Sequence, residues 1–185
     1  IYGDEVATVL DWDAITGLPA GTLGKSEVGR TGYREQDLTD YNAESVKFDV
    51  SLNFRPMADD LEIIWNSRIG FGGTIYQGAN RYQLKNFLMQ QHKLEIRNKD
   101  FFVRGYITSE DAGDSYDMRF TGINMNKIGA PQWFGLYAQT YLGKILTGST
   151  PDQAHADART TADGITPQPG TPEFQSLFDQ VTSDP

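Results

Sequence analysis

The chain has 185 residues, a formal net charge of −9, no cysteine, and 38% hydrophobic and 12% aromatic residues. Its length suits one domain, but the apolar fraction is low for a soluble core of that size. The composition excludes a disulfide scaffold and a thiolate metal site, and the absence of any run of about 18 apolar residues excludes a transmembrane helix.

Transmembrane strands stay open, because their signal is only alternation over about ten residues. The acidic balance speaks against a nucleic-acid partner, which calls for clustered Lys and Arg. Here Arg81, Lys85, Lys93, Arg97, Lys99 and Arg104 are spread among carboxylates. The chain starts at Ile1 with no signal peptide before it, which reads as a processed chain or an excerpt.

Residues 1–41 lack sustained periodicity and are punctuated by Gly17, Gly21, Gly24, Gly29 and Gly32. They are expected to form a long surface loop. From Val46 the pattern changes: Val46, Phe48, Val50, Leu52 and Phe54 alternate with Lys47, Asp49, Ser51 and Asn53. Strict period two gives a strand with one apolar and one wet face.

A short turn at 56–60, holding Pro56, leads to a second run. Leu61, Ile63 and Trp65 fall on one face and Glu62, Asn66 and Arg68 on the other, with Ile69 and Phe71 in the apolar phase before Gly72 and Gly73. Tyr76–Arg81 reads as a connection. A third strand is predicted over about Tyr82–Arg97, where Leu94 and Ile96 oppose Lys93, Glu95 and Arg97. Phe87 and Met89 fall in the opposite phase, explained either by a β-bulge near Gln90–His92 or by an upper half that projects beyond the membrane. After a tight turn at 98–100, Phe101, Val103 and Ile107 alternate with Phe102, Arg104, Tyr106 and Thr108.

Residues 110–185 are expected to be one long connection bearing short helices, with strand pairing extended or re-formed over 115–125. Trp133, Leu136, Tyr137, Tyr141 and Ile145 fall at helical spacing. Thr150-Pro151-Asp152 and Thr171-Pro172-Glu173 each look like a helix start: an N-cap Thr, Pro at the first helical position, an acid in the first turn. Gly164 would end the first of these helices. Phe174, Leu177, Phe178 and Val181 give the second an apolar face.

About four strands of bilayer-crossing length cannot close on themselves, since the smallest single-chain membrane barrels use about eight, and an open edge of unpaired amides is unacceptable in lipid. The strands at 42–109 must then pair with others, or form a soluble sheet covered by the helices. Short turns at 56–60 and 98–100 on one end, against longer segments at 1–40, 77–83 and 110–185 on the other, match the loop asymmetry of outer-membrane barrels.

The segments YQGANRYQLKNF (Tyr76–Phe87), QQHKLE (Gln90–Glu95), FFVRGYITSEDAGDSYDMRF (Phe101–Phe120), QWFGLYAQ (Gln132–Gln139) and DLTDYNAESVKF (Asp37–Phe48) resemble the barrel region of TonB-dependent outer-membrane receptors of the Bacteroidetes type. The likeness spans roughly residues 30–140. It implies an all-β fold, an antiparallel transmembrane segment of about four strands within a barrel of about 22, with 1–41 and 110–185 as extracellular loops and periplasmic turns at 56–60 and 98–100. It also implies nutrient import across the bacterial outer membrane. The implied partners are the rest of the barrel and its plug, TonB acting through that plug, a SusD-like lipoprotein or other outer-membrane subunits, and lipid. Nothing in the chain matches a TonB box or a plug.

The residues themselves mark no catalytic centre and call for no cofactor. His92 and His155 are the only histidines, and neither has a suitable neighbour in sequence; His92 reads as a polar residue at the strand bulge and His155 as solvated on an exposed helix. Glu110, Asp111, Asp114 and Asp117 around Gly113 could supply oxygens to a hard cation such as Ca²⁺, which takes about six to eight; their ordinary role would be to cap the loop's own amides. GFGG (Gly70–Gly73) lacks the Lys and helix start of a phosphate loop and reads as a bend at the membrane rim. Trp65, Tyr76, Tyr82, Phe101, Phe102 and Tyr106 suit interfacial girdles. On the wet faces, Glu62, Asn66, Arg68, Lys93, Glu95, Arg104 and Thr108 would line a lumen. Two other expectations remain: a non-transporting barrel subunit of a multi-protein outer-membrane complex, and a soluble carbohydrate-binding or hydrolytic β-domain.

Overall fold

A computed structural model describes residues 1–56 and 60–183; of the turn expected at 56–60, residues 57–59 lie outside the described residues. In chain order the elements are β1 (Ala7–Asp11), α1 (Trp12–Thr16), β2 (Lys25–Gly29), α2 (Glu35–Leu38), β3 (Glu44–Phe54), β4 (Glu62–Gln77), β5 (Arg81–Arg97), β6 (Phe102–Asp111), β7 (Tyr116–Asp117), α3 (Met118–Leu146), α4 (Pro151–Asp163) and α5 (Pro172–Ser183). The all-β expectation is therefore corrected: antiparallel sheets and helices share the chain, and no barrel is closed among the described residues. The chain divides into two compact units, one of residues Tyr41–Asp117 and one that joins Ile1–Asp40 to Met118–Pro185.

The unit at 41–117 is a meander in the order β3-β4-β5-β6, every pair antiparallel, with β7 adding to β5. Its register stacks residues in rows across four strands, such as Asn53–Ile64–Glu95–Arg104 and Leu52–Trp65–Leu94–Gly105. Cross-strand partners share a face, so alternation along each strand becomes two chemically distinct faces of one sheet.

Two local expectations change. β4 runs through Gly72 and Gly73 to Gln77, so Tyr76–Arg81 is no loop; only residues 78–80 connect β4 to β5, closed by Gly78 N–H donating to Asn80 O at 2.9 Å. One supposed long connection is thus a tight turn, and loop asymmetry rests on the flanking segments alone. The bulge also lies elsewhere. The register shifts between Gly72 and Thr74, where Gly73 stands opposite both Lys85 and Asn86, and Asn86 takes the left-handed conformation at φ 56°, which Asn tolerates better than most residues. The turn at 98–100 forms as expected: Asn98 Oδ1 accepts from the amides of Asp100 and Phe101 at 2.9 Å each.

In the other unit, residues 1–41 are not one loop. Asp13 is buried and accepts from the amides of Gly21, Leu23 and Gly24 at 2.6, 2.6 and 3.2 Å. It organises the turn between α1 and β2, so that β1 and β2 pair over five residues. Nothing periodic announces this; a single carboxylate gathers the backbone.

The expected short helices include one long one. α3 has 29 residues and contains Pro131, and only Tyr116–Asp117 of the segment 115–125 is strand. Gly122 and Gly129 inside α3 are packing positions: a Cβ at Gly122 would sit 2.8 Å from the Tyr2 Cβ, and one at Gly129 3.0 Å from Arg30 Nη1. α4 and α5 begin at the expected prolines, with Thr150 Oγ1 accepting from Gln153 N–H at 3.4 Å, and Gly164 caps α4. Ala154, Ala158 and Ala162, one turn apart, form a buried seam on α4 against Trp133, Tyr137 and Tyr141 of α3, with Trp12 and Val28. A second cluster joins Tyr33, Leu38, Met125 and Phe174.

Candidate functional site

The sheet of residues 41–117 carries its chemistry in its two faces. All seven residues expected on the wet side (Glu62, Asn66, Arg68, Lys93, Glu95, Arg104 and Thr108) occupy one face of the sheet, as the register dictates. They are bound into a network. Arg97 donates through Nε and Nη2 to Glu62 Oε2 at 2.9 and 2.7 Å, with Arg55 Nη2 3.5 Å from the other oxygen. Arg104 Nε donates to Glu95 Oε2 at 2.7 Å, and Lys93 Nζ and Arg97 Nη1 lie 3.4 and 3.7 Å from the same carboxylate. Asn66 Nδ2 donates to Asp49 Oδ1 at 2.9 Å and to the Val50 carbonyl at 3.1 Å, while Arg68 Nε donates to Asp49 Oδ2 at 2.6 Å. Gln91 Nε2 reaches Thr108 Oγ1 at 3.5 Å.

The hydrogen bond from Arg97 holds the Glu62 carboxyl below the usual carboxylate range, and that from Arg104 does the same for Glu95. Asp49 is lowered by Arg68 first and Asn66 second. Charge-assisted, partly bidentate pairs of this kind fix side-chain geometry as well as contributing attraction.

The opposite face is apolar and open. Val46, Phe48, Leu52, Phe54, Trp65, Phe71, Leu94, Val103 and Ile107 expose between 40 and 65% of their surface, whereas Glu62, Asn66 and Glu95 on the wet face expose 9% or less. A water-soluble protein buries its large apolar side chains first and leaves carboxylates outside. Here the order is inverted. His92 belongs to the apolar face, in mid-strand rather than at a bulge; its Nδ1 lies 2.9 Å from Ser67 Oγ, its cross-strand partner, so two polar groups satisfy one another there. β3 and β6, the outermost strands, each pair along one edge only among the described residues.

Ile64, Phe102 and Tyr106 also stand on the wet face by register, and so do Phe87 and Met89. The phase switch seen in the sequence is no bulge: both side chains share that face with Gly72 and Gly70, their partners on β4. The two glycines leave a groove of about 490 Å³ whose walls include Lys47, Leu84, Phe87 and Met89. A Cβ at Gly70 would meet nothing within 4 Å, while one at Gly72 would collide with the Glu44 carbonyl. Gly70 thus makes space, and Gly72 permits close approach of the neighbouring strand.

The four acidic residues considered for a cation do not converge. Asp111 Oδ1 accepts from Gly113 N–H at 2.9 Å, Asp114 Oδ2 from Asn86 Nδ2 at 2.6 Å, and Asp117 Oδ2 from Asn80 Nδ2 at 2.6 Å. Glu110 stands on β6 opposite Met89. Among the described residues, no group of three or more His, Cys, Asp or Glu side chains could hold a metal ion.

The unit of 1–40 and 118–183 holds a polar-aromatic cluster that sequence reasoning missed. His155, expected to be solvated, is half-buried: its ring stacks on Tyr141 at 4.3 Å between centroids, and its Nδ1 lies 2.8 Å from Tyr137 Oη. Burial, with a further contribution from Arg159, lowers the His155 pKa, opposed by Asp152. Arg159 lies over Trp133 and Tyr137 at 5.7 and 6.0 Å. A legible signal existed, because His155 and Arg159 are four apart and so share a helix face with the Ala154–Ala158 seam beside them.

No protein-family model matches the chain, and no curated protein or solved structure is similar to it.

Proposed function

We propose that this chain supplies wall strands and surface segments of a TonB-dependent outer-membrane receptor that imports a nutrient across the bacterial outer membrane. One observation carries the reading: a sheet whose apolar face is exposed and whose carboxylates and cations are drawn together on the other face. That inversion suits lipid on one side and an aqueous, plug-filled lumen on the other. Strand length supports it, since β3, β4, β5 and β6 have 11, 16, 17 and 10 residues and a tilted strand needs about 9–11 to cross a bilayer. The longer β4 and β5 reach beyond the lipid. The single-sided pairing of β3 and β6 supports continuation into further strands, since lipid tolerates no open edge. The rest of the barrel, its plug and TonB are the partners this reading requires. A soluble β-domain would have to cover the apolar face, whose side chains stay open.

This chain has no cysteine, so single-cysteine labelling in cells, in a parent receptor cleared of any cysteine elsewhere, gives a direct test. Cysteines at Leu52, Leu94 and Val103 should resist a water-soluble maleimide and react with a lipid-soluble one. Cysteines at Asn66 and Thr108 should show the reverse. Equal reactivity on both faces would sink the membrane assignment. Uptake that persists unchanged without TonB would leave the barrel and remove the transporter, in favour of a structural subunit.

A further inference from the structure

The groove above Gly70 and Gly72 is an apolar trough at one end of a face otherwise tied up in ion pairs, and a bulge builds its wall. Leu84 and Phe87 are three apart, a spacing that puts side chains on opposite faces of a regular strand. The bulge at Asn86 changes that. Leu84 stands opposite Thr74 and Phe87 opposite Gly72, and these two β4 residues, two apart, share one face. Residues 113–115 fasten the bulge. Asn86 Nδ2 donates to Asp114 Oδ2 at 2.6 Å, the Asp114 amide to the Lys85 carbonyl at 2.9 Å, and the Lys85 amide to Ser115 Oγ at 3.0 Å. Bulges that re-aim side chains, and left-handed residues other than glycine, gather at ligand sites.

Lys47 and Ser45 form the β3 side of the groove, on the face of Gly70 and Gly72, their partners on β4. On that face Arg68, Lys93, Arg97 and Arg104 each have a carboxylate within 3.4 Å. Lys47 has none among the described residues. Register sends the Glu44 side chain to the other face with Val46, and it is the Glu44 carbonyl that stands over Gly72. Asp49, next along β3, is bound by Arg68 and Asn66. Glu110 lies in the same row beyond Gly70 and Met89, three strand spacings or about 14 Å from Lys47. The trough thus carries one uncompensated ammonium at its rim. Its floor strand, β4, is paired on both sides, so it offers no free main-chain groups to a peptide, whose own amides need partners. An apolar body with a single anionic head needs only what the groove supplies, and about 490 Å³ falls within the range of small-molecule pockets, about 300–1,000 Å³.

From this geometry we infer a binding site for a medium-chain alkyl carboxylate, its chain over Gly70 and Gly72 against Leu84, Phe87 and Met89, its carboxylate on Lys47 and Ser45. The site lies within one unit, and its test involves neither TonB nor uptake, so it stands or falls apart from the transport reading. The experiment is calorimetric titration of the full-length protein, solubilised in detergent, with octanoate, 1-octanol, n-octylamine and acetate. Partition into micelles is non-saturable and common to every variant. Octanoate should bind saturably and about tenfold more tightly than 1-octanol, the scale of one hydrogen bond to a charged group. Acetate and n-octylamine should bind more weakly still. Lys47→Gln should bring octanoate down to the level of 1-octanol. A Cβ meets nothing within 4 Å at Gly70 or at Gly105. Gly70→Leu should fill the groove and abolish binding, while Gly105→Leu, on the opposite face with Leu94, should leave it unchanged. Melting curves identify variants that remain folded. Absence of saturable octanoate binding to the wild type, or n-octylamine binding as tightly as octanoate, would overturn the site. So would octanoate affinity unchanged in folded Lys47→Gln or Gly70→Leu, or lost in folded Gly105→Leu. Equal affinities for octanoate and 1-octanol would also overturn it, and would point to a carboxylate brought to Lys47 by a strand continuing beyond β3.

Discussion

Glu95 exposes 3% of its surface and Leu94, the residue before it on β5, exposes 50%. Their side chains point to opposite faces of the sheet, so the carboxylate is the sheltered one and the leucine the open one. Glu95 is paired with Arg104 and Lys93 and stands beside buried Ile64, its cross-strand partner. A carboxylate in that position is held by charge-assisted bonds, and breaking them leaves it without compensation.

The first prediction follows from that pair of faces. On the proposed membrane reading, Leu94→Arg should destabilise the assembled protein by about 2–4 kcal/mol at a position near the bilayer midplane. Thr108→Arg, on the wet face of the neighbouring strand, should be tolerated. Urea unfolding in lipid vesicles compares the two, and equal effects would contradict a lipid-facing Leu94.

The wet-face network should respond to acid. Glu62 and Glu95 have folded-state pKa values below their ordinary ones, because of Arg97 and Arg104 respectively. The unfolded chain therefore binds protons first as pH falls. The stabilisation is present in full above the ordinary glutamate value near 4.5, and it is lost as pH drops through the lower folded-state values. Acid titration of unfolding should show this decline below about pH 4.5 and a flatter profile in the Glu62→Gln, Glu95→Gln double variant. An identical profile would show that these pairs do not couple to folding.

The sheet was legible in the sequence because period-two alternation survives in β3, β4 and β6, and the register could then put Glu62, Asn66, Arg68, Lys93, Glu95, Arg104 and Thr108 on one face. The end of the sheet was harder. Gly72 and Gly73 look like a bend, yet they let β3 and β5 approach closely, and Phe87 and Met89 fill the wet face above glycines that leave room. Residues 1–40 were opaque because their order comes from Asp13 and from long-range bonds such as Asn126 Nδ2 to the Gly3 carbonyl, which no local pattern encodes. The start of α3 was hidden by Gly122 and Gly129, whose missing side chains admit Tyr2 and Arg30.

The glycines of α3 should therefore behave in opposite ways. At Gly135 a Cβ meets nothing within 4 Å, so Gly135→Ala should stabilise the helix by about 0.5–1 kcal/mol. At Gly122 the new methyl would press on Tyr2, and overpacking of this kind costs about 1–3 kcal/mol. Thermal melts followed by helical circular dichroism should move up for the first and down for the second. Two shifts of the same sign would mean that helix propensity, not the Tyr2 contact, governs Gly122.

Asn126 offers a sharper separation of packing from hydrogen bonding. It is fully buried on α3, and its Nδ2 donates to the carbonyls of Gly3 and Thr31 at 2.9 and 3.0 Å. Those two bonds fasten the N-terminal segment to the helix, at points 123 and 95 residues away in the chain. Asn126→Leu keeps the branched shape with a larger side chain and removes both donors, leaving the Gly3 and Thr31 carbonyls without them. An unsatisfied buried acceptor such as the Gly3 carbonyl costs about 1–3 kcal/mol and the larger side chain adds overpacking, so this variant should melt well below the wild type. Asn124, two residues earlier on the same helix, is exposed, and Asn124→Leu should change stability by no more than about 0.5 kcal/mol. The comparison holds residue type, helix and substitution constant. A wild-type melting temperature for Asn126→Leu would mean that the Gly3 and Thr31 carbonyls find other donors, and that Asn126 does not fasten the N-terminal segment.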